Sequence, residues 1–374
     1  MKKSGWSRKE IERKFGKGKI LSGDEAERLN YIPYGISTQS LCVDLAIGCP
    51  GIPGGRLTQI TGLDGAGKST IAQHLIAECQ AMGGHVVLVD SEHTYDERRA
   101  KKIGINTSDW DTLEPDSLEE CLDMIVEITK LFYAGRAELI GKVPLLFVID
   151  SIEGLTPKDL LDIKADEANV ALASRVINRN LSRILTTLAE YKAALVTVSQ
   201  MYTNVKRGRS FYSNEPEHIV KGGIGLRYRA SLRLIVEAKT SKSNRVFSPA
   251  NADECIGFKN VIEVVKNKSN DPFKKGDYNL TFDGGIDKYV DLLEACISID
   301  LLEAKQSGWY EGTLLKNPVK FQRKGWKEFV DKTYKGPDRL RRLLTKKIIK
   351  MGLMKRYDYM SVVRGSTDER IEEL

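Results

Sequence analysis

The sequence predicts an α/β fold: a mainly parallel central sheet flanked by helices, with an N-terminal helical arm and a small C-terminal domain. Three observations predict it. Between residues 36 and 240, short apolar runs alternate with longer helical patterns, as strand–helix–strand units do. One such unit contains Gly62-Leu63-Asp64-Gly65-Ala66-Gly67-Lys68-Ser69, a complete G-x-x-x-x-G-K-[ST] phosphate loop. From about residue 288 the pattern turns helical and then strongly basic.

A chain of 374 residues is long enough for one large core plus smaller modules. With 41% hydrophobic and 29% charged residues it reads as an ordinary globular protein. No apolar run approaches the ~20 residues that cross a bilayer. The basic start Met1-Lys2-Lys3 has no apolar segment behind it, so no secretory signal and no membrane partner are expected. The six cysteines are scattered with no C-x-x-C pair, which favours reduced thiols and a cytoplasmic location. The net charge of +7 is unevenly placed: residues 316–356 hold fifteen Lys/Arg against three Asp/Glu, +12, so the remainder carries −5. That concentration suggests a polyanion partner, against the plainer alternative of a solvated helical face.

Residues 1–35 read as a basic amphipathic arm, with Ile11 and Phe15 at helical spacing and Gly16-Lys17-Gly18 as the stop. Residues 36–287 form the core. Its strands are expected at Leu57–Thr61, His85–Asp90, Leu145–Asp150, Ala193–Ser199 and Ser231–Glu237, and its helices near 69–82, 93–102, 117–133 and 169–191. Two stretches, 201–225 and 238–256, read as loops, and strand patterns resume over 257–287. Residues 288–374 read as a basic helical domain.

The phosphate loop implies a nucleoside triphosphate with Mg²⁺. Its glycines turn backbone N–H groups toward phosphate oxygens; Lys68 supplies a charge at the β/γ-phosphates, and the Ser69 hydroxyl can hold Mg²⁺. Thr70 opens the helix whose N-terminus faces the anion. Leu145–Asp150 is an apolar strand ending in an acid, the Walker B pattern, with Asp150 as the second Mg²⁺ residue. Val87-Leu88-Val89-Asp90-Ser91-Glu92 delivers a further carboxylate to the same sheet edge. Glu92 is the candidate for polarising an attacking water, and a helix-capping carboxylate, a role Asp90 could fill, is the alternative. Gln200 ends another strand and could sense the γ-phosphate. Residues 201–229 mix six Lys/Arg, among them Lys206, Arg207 and Arg209, with Tyr202, Phe211, Tyr212 and Tyr228. Cations that track phosphates, interleaved with rings that stack on bases, suit single-stranded nucleic acid.

With these residues in place, the chain resembles the RecA family of recombinases, bacterial RecA and its phage UvsX-like relatives, over roughly residues 10–310. The anchors are Lys14-Phe15-Gly16-Lys17-Gly18, Ile36-Ser37-Thr38, the phosphate loop, Asp90-Ser91-Glu92-His93, Ile149-Asp150-Ser151 with Leu155-Thr156-Pro157-Lys158, Gly222-Gly223, Val264-Val265-Lys266-Asn267-Lys268 with Pro272-Phe273, and Gly308-Trp309-Tyr310. The resemblance implies a RecA-type P-loop ATPase core, ATP and Mg²⁺ as cofactors, and Glu92 as catalytic carboxylate with Gln200 as γ-phosphate sensor. It implies DNA-binding loops at 157–171 and 201–223, with Arg175 just after the first and Gly222 and Gly223 closing the second. Lys266 and Lys268 would reach a neighbouring subunit's ATP, Tyr228 would lie near that interface, and the N-terminal helix would pack on the adjacent subunit. Asp96 matches the residue that contacts the adenine amino group. Arg99 stands where the family has an adenine-stacking tyrosine, and a guanidinium can take that stacking role. The first loop departs further, with Asp162, Asp166 and Glu167 and without the usual glycines. These departures look like a phage, plasmid or other divergent member.

The expected function is an ATP-dependent recombinase that forms a filament on single-stranded DNA and pairs it with homologous duplex, with an accessory loader or single-strand-binding protein as possible partners. Two alternatives are an ATP-gated DNA-coating or regulatory relative without strand exchange, and a hexameric helicase motor on the same core.

Overall fold

The computed structural model describes residues 7–16, 22–93, 95–160, 171–203, 218–220, 223–248, 250–251 and 253–355. In chain order the helices are α1 Arg8–Phe15, α2 Gly23–Asn30, α3 Leu41–Ile47, α4 Lys68–Ala81, α5 Glu97–Ile103, α6 Leu118–Tyr133, α7 Ala171–Tyr191, α8 Gly223–Arg229, α9 Lys288–Ser298, α10 Trp326–Tyr334 and α11 Pro337–Lys350. The strands of the first half are β1 Gly35–Ile36, β2 Ile52–Pro53, β3 Leu57–Gly62, β4 His85–Asp90, β5 Asp111–Thr112, β6 Leu145–Asp150, β7 Ala194–Thr203 and β8 His218–Val220. Those of the second half are β9 Leu232–Lys239, β10 Arg245–Phe247, β11 Cys255–Asn267, β12 Lys275–Thr281, β13 Gly285–Ile286, β14 Leu302–Ala304, β15 Trp309–Leu314 and β16 Asn317–Gln322.

The main sheet runs β13-β12-β11-β9-β3-β7-β6-β4-β5. The six strands from β9 to β5 are mutually parallel, and β11, β12 and β13 extend the sheet antiparallel. Parallel strands bury both faces, so they read as continuous apolar runs; every residue of β3 is buried. One face packs under α3, α4 and α5 through Val43, Ile71, Leu75 and Ile103. The other packs under α6 and α7 through Leu122, Ile125, Ile177 and Leu181. Helix α6 has the expected stripe, Leu118, Cys121, Leu122, Ile125, Val126, Thr129 and Tyr133 buried, behind an N-cap from Ser117.

Three expectations need correction. The loop expected over 201–225 starts later, because β7 continues to Thr203 and pairs antiparallel with β8 (Met201↔Val220, Thr203↔His218). Within 238–256, β10 pairs with the start of β11. After 288 the chain is not simply helical: β14, β15 and β16 form an antiparallel sheet between α9 and α10. Tyr310 and Leu314 of β15 point into a core with Phe321, Trp326, Leu340 and Leu344 while Trp309 and Thr313 point out. That period-2 burial makes the segment a strand. Among the described residues, no helix is long and apolar enough to cross a membrane, and all six cysteines are free thiols.

Buried polar groups join the C-terminal unit to the core. Ser40 Oγ and the Leu41 N–H both donate to Asp291 on α9, the latter at 2.6 Å. From α11, Arg341 donates to Ser37 Oγ at 2.6 Å and to Glu78 of α4 at 2.7 Å. Glu78 also accepts from Gln39 Nε2 at 3.3 Å, and Gln39 Oε1 lies 2.9 Å from His74 Nδ1. The Ile286 N–H donates to His74 Nε2 at 2.9 Å, so the ring is neutral with its proton on Nδ1; burial pushes its pKa down to about 3.

Removing one partner of a buried ion pair strands the other. Arg341→Met should therefore cost about 3–5 kcal/mol of unfolding free energy, and adding Glu78→Gln should recover part of it; urea titration of both variants reads this, and a loss under about 1 kcal/mol would show the pair to be dispensable. A second expectation concerns pH. Burial pushes the Asp291 carboxyl up to about 7. A raised acid pKa means that the folded chain binds more protons than the unfolded chain between about pH 4 and pH 7, so this group's contribution favours folding at the acid end and is lost as pH rises through that window. Asp291→Asn keeps an acceptor for Leu41 and should flatten that part of the stability–pH curve, while Asp44, pushed by burial up to about 6, still titrates in both proteins.

Candidate nucleotide site

The parallel register brings four strand ends to one edge. Gly62, the last residue of β3, pairs with Gln200 on β7, and Asp90 of β4 pairs with Asp150 of β6. The phosphate loop leaves β3 and enters α4 at Gly67, whose φ of +89° suits glycine. A Cβ on Gly62 would collide with the Val236 carbonyl and one on Gly67 with the Leu280 side chain. Asn260 of β11 pins the loop by donating to the Ala66 carbonyl at 2.8 Å. Gly65 N–H bonds the Asp64 carboxylate at 2.9 Å, and Leu63 is exposed.

Lys68 Nζ donates to the Leu63 carbonyl at 2.9 Å, folding back over its own loop. Burial pushes its pKa down, against Asp64, Asp150, Glu153 and Glu92, which pull it up. Ser69 hydrogen-bonds Asp150, and burial pushes that carboxyl up to about 6, with Glu92 and Asp90 adding to the rise. A hydroxyl and a crowded carboxylate side by side fit a hard divalent cation, which favours oxygen donors and would relieve that crowding.

Glu92 sits beside the strand ends. Its Oε1 accepts from Ser151 Oγ at 2.6 Å and from Gln200 Nε2 at 3.4 Å. Gln200 in turn accepts from Tyr202 Oη at 2.6 Å, and its N–H donates to Glu153 at 3.2 Å. Asp90 accepts from the Tyr95 N–H at 3.1 Å, bracing the chain after β4. The N-cap of α5 is Asp96, which accepts from the N–H groups of Arg98 and Arg99. Arg99 reaches α4, its guanidinium donating to Thr70 Oγ1 at 2.6 Å.

Other candidates stand apart. Lys266 aligns with Arg233 on β9, whereas the phosphate-loop end of β9, Val236, aligns with Ile262. Four residues of strand put Lys266 roughly 13 Å toward the opposite edge. There Lys266 donates to the Arg227 and Tyr228 carbonyls at 3.2 and 2.6 Å, capping α8, and burial followed by Lys268 and Arg233 pushes its pKa down. Arg175 is exposed on α7, and Gly223 opens α8. Lys206, Arg207, Arg209, Phe211, Tyr212 and Gly222 lie outside the described residues, as do Asp162, Asp166 and Glu167.

The RecA N-terminal domain family matches residues 5–287. The chain belongs to the RecA family. Its RecA-type α/β core is the sheet described above. Among similar proteins, "Protein RecA" of Phytoplasma mali (strain AT) is 33% identical over 304 residues, 81% of this chain and 82% of that protein. "Protein RecA" of Campylobacter jejuni subsp. doylei is 32% identical over 305 residues, 81% of each. That of Helicobacter acinonychis is 31% identical over 303, 80% of each.

Motif reading missed two contributors to this RecA edge. Asn260 and Leu280 close on the phosphate loop from 194 residues or more away in sequence. Only the β11–β12 register brings them there, and no local motif marks them.

Glu92→Gln keeps shape and hydrogen bonding but removes the carboxylate, the group expected to act as base. Turnover of ATP should fall by about 10²–10⁴-fold with ATP affinity nearly unchanged, measured by steady-state hydrolysis and equilibrium binding. Undiminished turnover would take the catalytic role away from Glu92.

Proposed function

We propose that this chain is an ATP-dependent recombinase that assembles on single-stranded DNA and promotes homologous pairing and strand exchange in recombination and repair. The observation that carries the reading is the Glu92–Gln200–Tyr202 relay. It joins the nucleotide edge to the β7–β8 ribbon, and the segment 204–217, with its basic and aromatic residues, starts and ends on that ribbon. A change at the γ-phosphate thus has a short mechanical route to the proposed DNA loop.

In this reading Lys68 holds the β/γ-phosphates while the N–H groups of the loop and of α4 hold the rest. Ser69 and Asp150 would hold Mg²⁺, which would supply charge neutralisation for the phosphates. Glu92 takes a proton from the attacking water, oriented by Ser151 and Gln200. Base pairing rather than side chains reads sequence, with Arg175 and the basic loop residues holding backbone phosphates.

Self-assembly into a helical filament is supported from two sides. Helix α1 is complete in itself, with a Ser7–Glu10 capping box, yet buries none of its residues and leaves Phe15 58% exposed. An amphipathic helix without a buried face suits a second copy of the chain. Lys266 and Lys268 sit too far from their own phosphate loop to serve it, which suits a role at a neighbour's.

The test is ATP hydrolysis with and without single-stranded DNA over a protein concentration series. Cooperative stimulation is expected, and Lys266→Ala should lower the DNA-stimulated rate at least about tenfold while leaving the lone subunit's nucleotide affinity intact. Hydrolysis indifferent to DNA would overturn the reading. Stimulation without pairing of homologous strands would favour a DNA-coating relative, and unwinding of a tailed duplex would favour a helicase.

A further inference from the structure

Arg99 is placed by α5, which packs Ala100 and Ile103 into the same core as Ile71 and Leu75 of α4. That packing turns the guanidinium onto the first turn of α4, where it meets Thr70. Thr70 is buried and directly follows Ser69. The Arg99 Nε is buried without a hydrogen-bond partner. Two carboxylates act on the guanidinium, Asp96 and Asp283, and both have other duties: Asp96 caps α5 and Asp283 pairs with Lys102. A half-buried cation is therefore held against the first turn of α4, the positive end of a helix, an arrangement that favours an anion there.

The bond to Thr70 is made edge-on, in the plane of the guanidinium, the direction in which its N–H groups reach oxyanions. Lys68 serves the β/γ end of the nucleotide. An anion held where Arg99 meets Thr70, two residues further into α4, is then the phosphate remote from that end.

We infer that Arg99 is an α-phosphate ligand that anchors ATP and ADP alike. The inference rests on reading Gly62–Thr70 as a nucleotide site, and it changes the part that Arg99 plays there. A charge at the α-phosphate is blind to the γ-phosphate. It strengthens binding before and after hydrolysis by the same factor and slows ADP release, leaving discrimination between the two states to Glu92 and Gln200.

The experiment is equilibrium titration of the full chain with ADP, a non-hydrolysable ATP analogue and CDP, for the unaltered protein and for Arg99→Gln, Arg99→Lys and Arg99→Tyr, each melted first without nucleotide to verify folding. Arg99→Gln should weaken all three ligands by one common factor, about 10- to 100-fold for a charged hydrogen bond, and speed ADP dissociation. Arg99→Lys should restore most of the affinity and Arg99→Tyr should not. A loss confined to the adenine nucleotides and regained in Arg99→Tyr would overturn the inference in favour of stacking, as would unchanged binding in Arg99→Gln. Should Arg99→Gln melt early, Arg99→Lys against Arg99→Tyr decides the same question. If the unaltered protein binds no nucleotide, or Lys68→Ala binds as well as it does, the nucleotide site itself fails, an outcome distinct from a failure of Arg99 alone.

Discussion

The site depends on the register of four parallel strands. Gly62 against Gln200 and Asp90 against Asp150 bring a phosphate loop, the Gln200 amide and two carboxylates to one edge. Side chains alternate along a strand, so a slip of one residue would turn Asp150 from Ser69 into the opposite helix layer and expose Val148 or Ile149 in its place. Such a slip is opposed by the helices on both faces, which bury Leu146, Val148 and Ile149 completely. Core packing and site geometry are here the same constraint. The strands are apolar because they are buried twice over, and each changes character where it emerges at the working edge.

A second layer of organisation is polar and buried. Arg341, Glu78, Gln39, His74 and the Ile286 N–H form one chain of contacts from the last helix to the helix that carries the phosphate loop. Buried polar groups are costly unless every partner is present, so such a chain specifies one arrangement among many that would bury equal apolar area. Helices α4 and α11 are thereby held by the same carboxylate, and the basic C-terminal unit takes its position from the nucleotide-binding helix.

Much of this was legible in the sequence, for identifiable reasons. Apolar runs such as Leu145–Asp150 announce strands because both faces are covered, and Gly62–Ser69 announces a turn between strand and helix because few other uses require that spacing. The strands β14–β16 were hidden because the buried positions of Trp309–Leu314 come only every second residue and are interrupted by Gly312, a short signal just ahead of a strongly basic segment. The ribbon β7–β8 was hidden because its two halves are separated by a long polar stretch. The family pattern implies a stacking role for Arg99; its bond to Thr70 depends on how α5 packs on α4, which no local signal encodes. Asn260 and Leu280 were illegible for a related reason: their place beside the phosphate loop is a property of sheet order.

Charge separation across the sheet bears on the proposed assembly. At the nucleotide edge, Asp64, Glu92, Asp150 and Glu153 act on Lys68, and burial, with Glu92 and Asp90, pushes Asp150 toward protonation. At the opposite edge, Arg233 and Lys268 press on Lys266, and Arg227 presses on Arg233, with no carboxylate among the charges that shift either group. The two edges carry opposite charge, and in the proposed assembly they would meet head to tail. A head-to-tail contact closes into a ring or continues as an open helix according to the rotation between neighbours. A ring and a filament can therefore share this core and this site, and the unburied face of α1, as a further contact between copies, would help select the rotation.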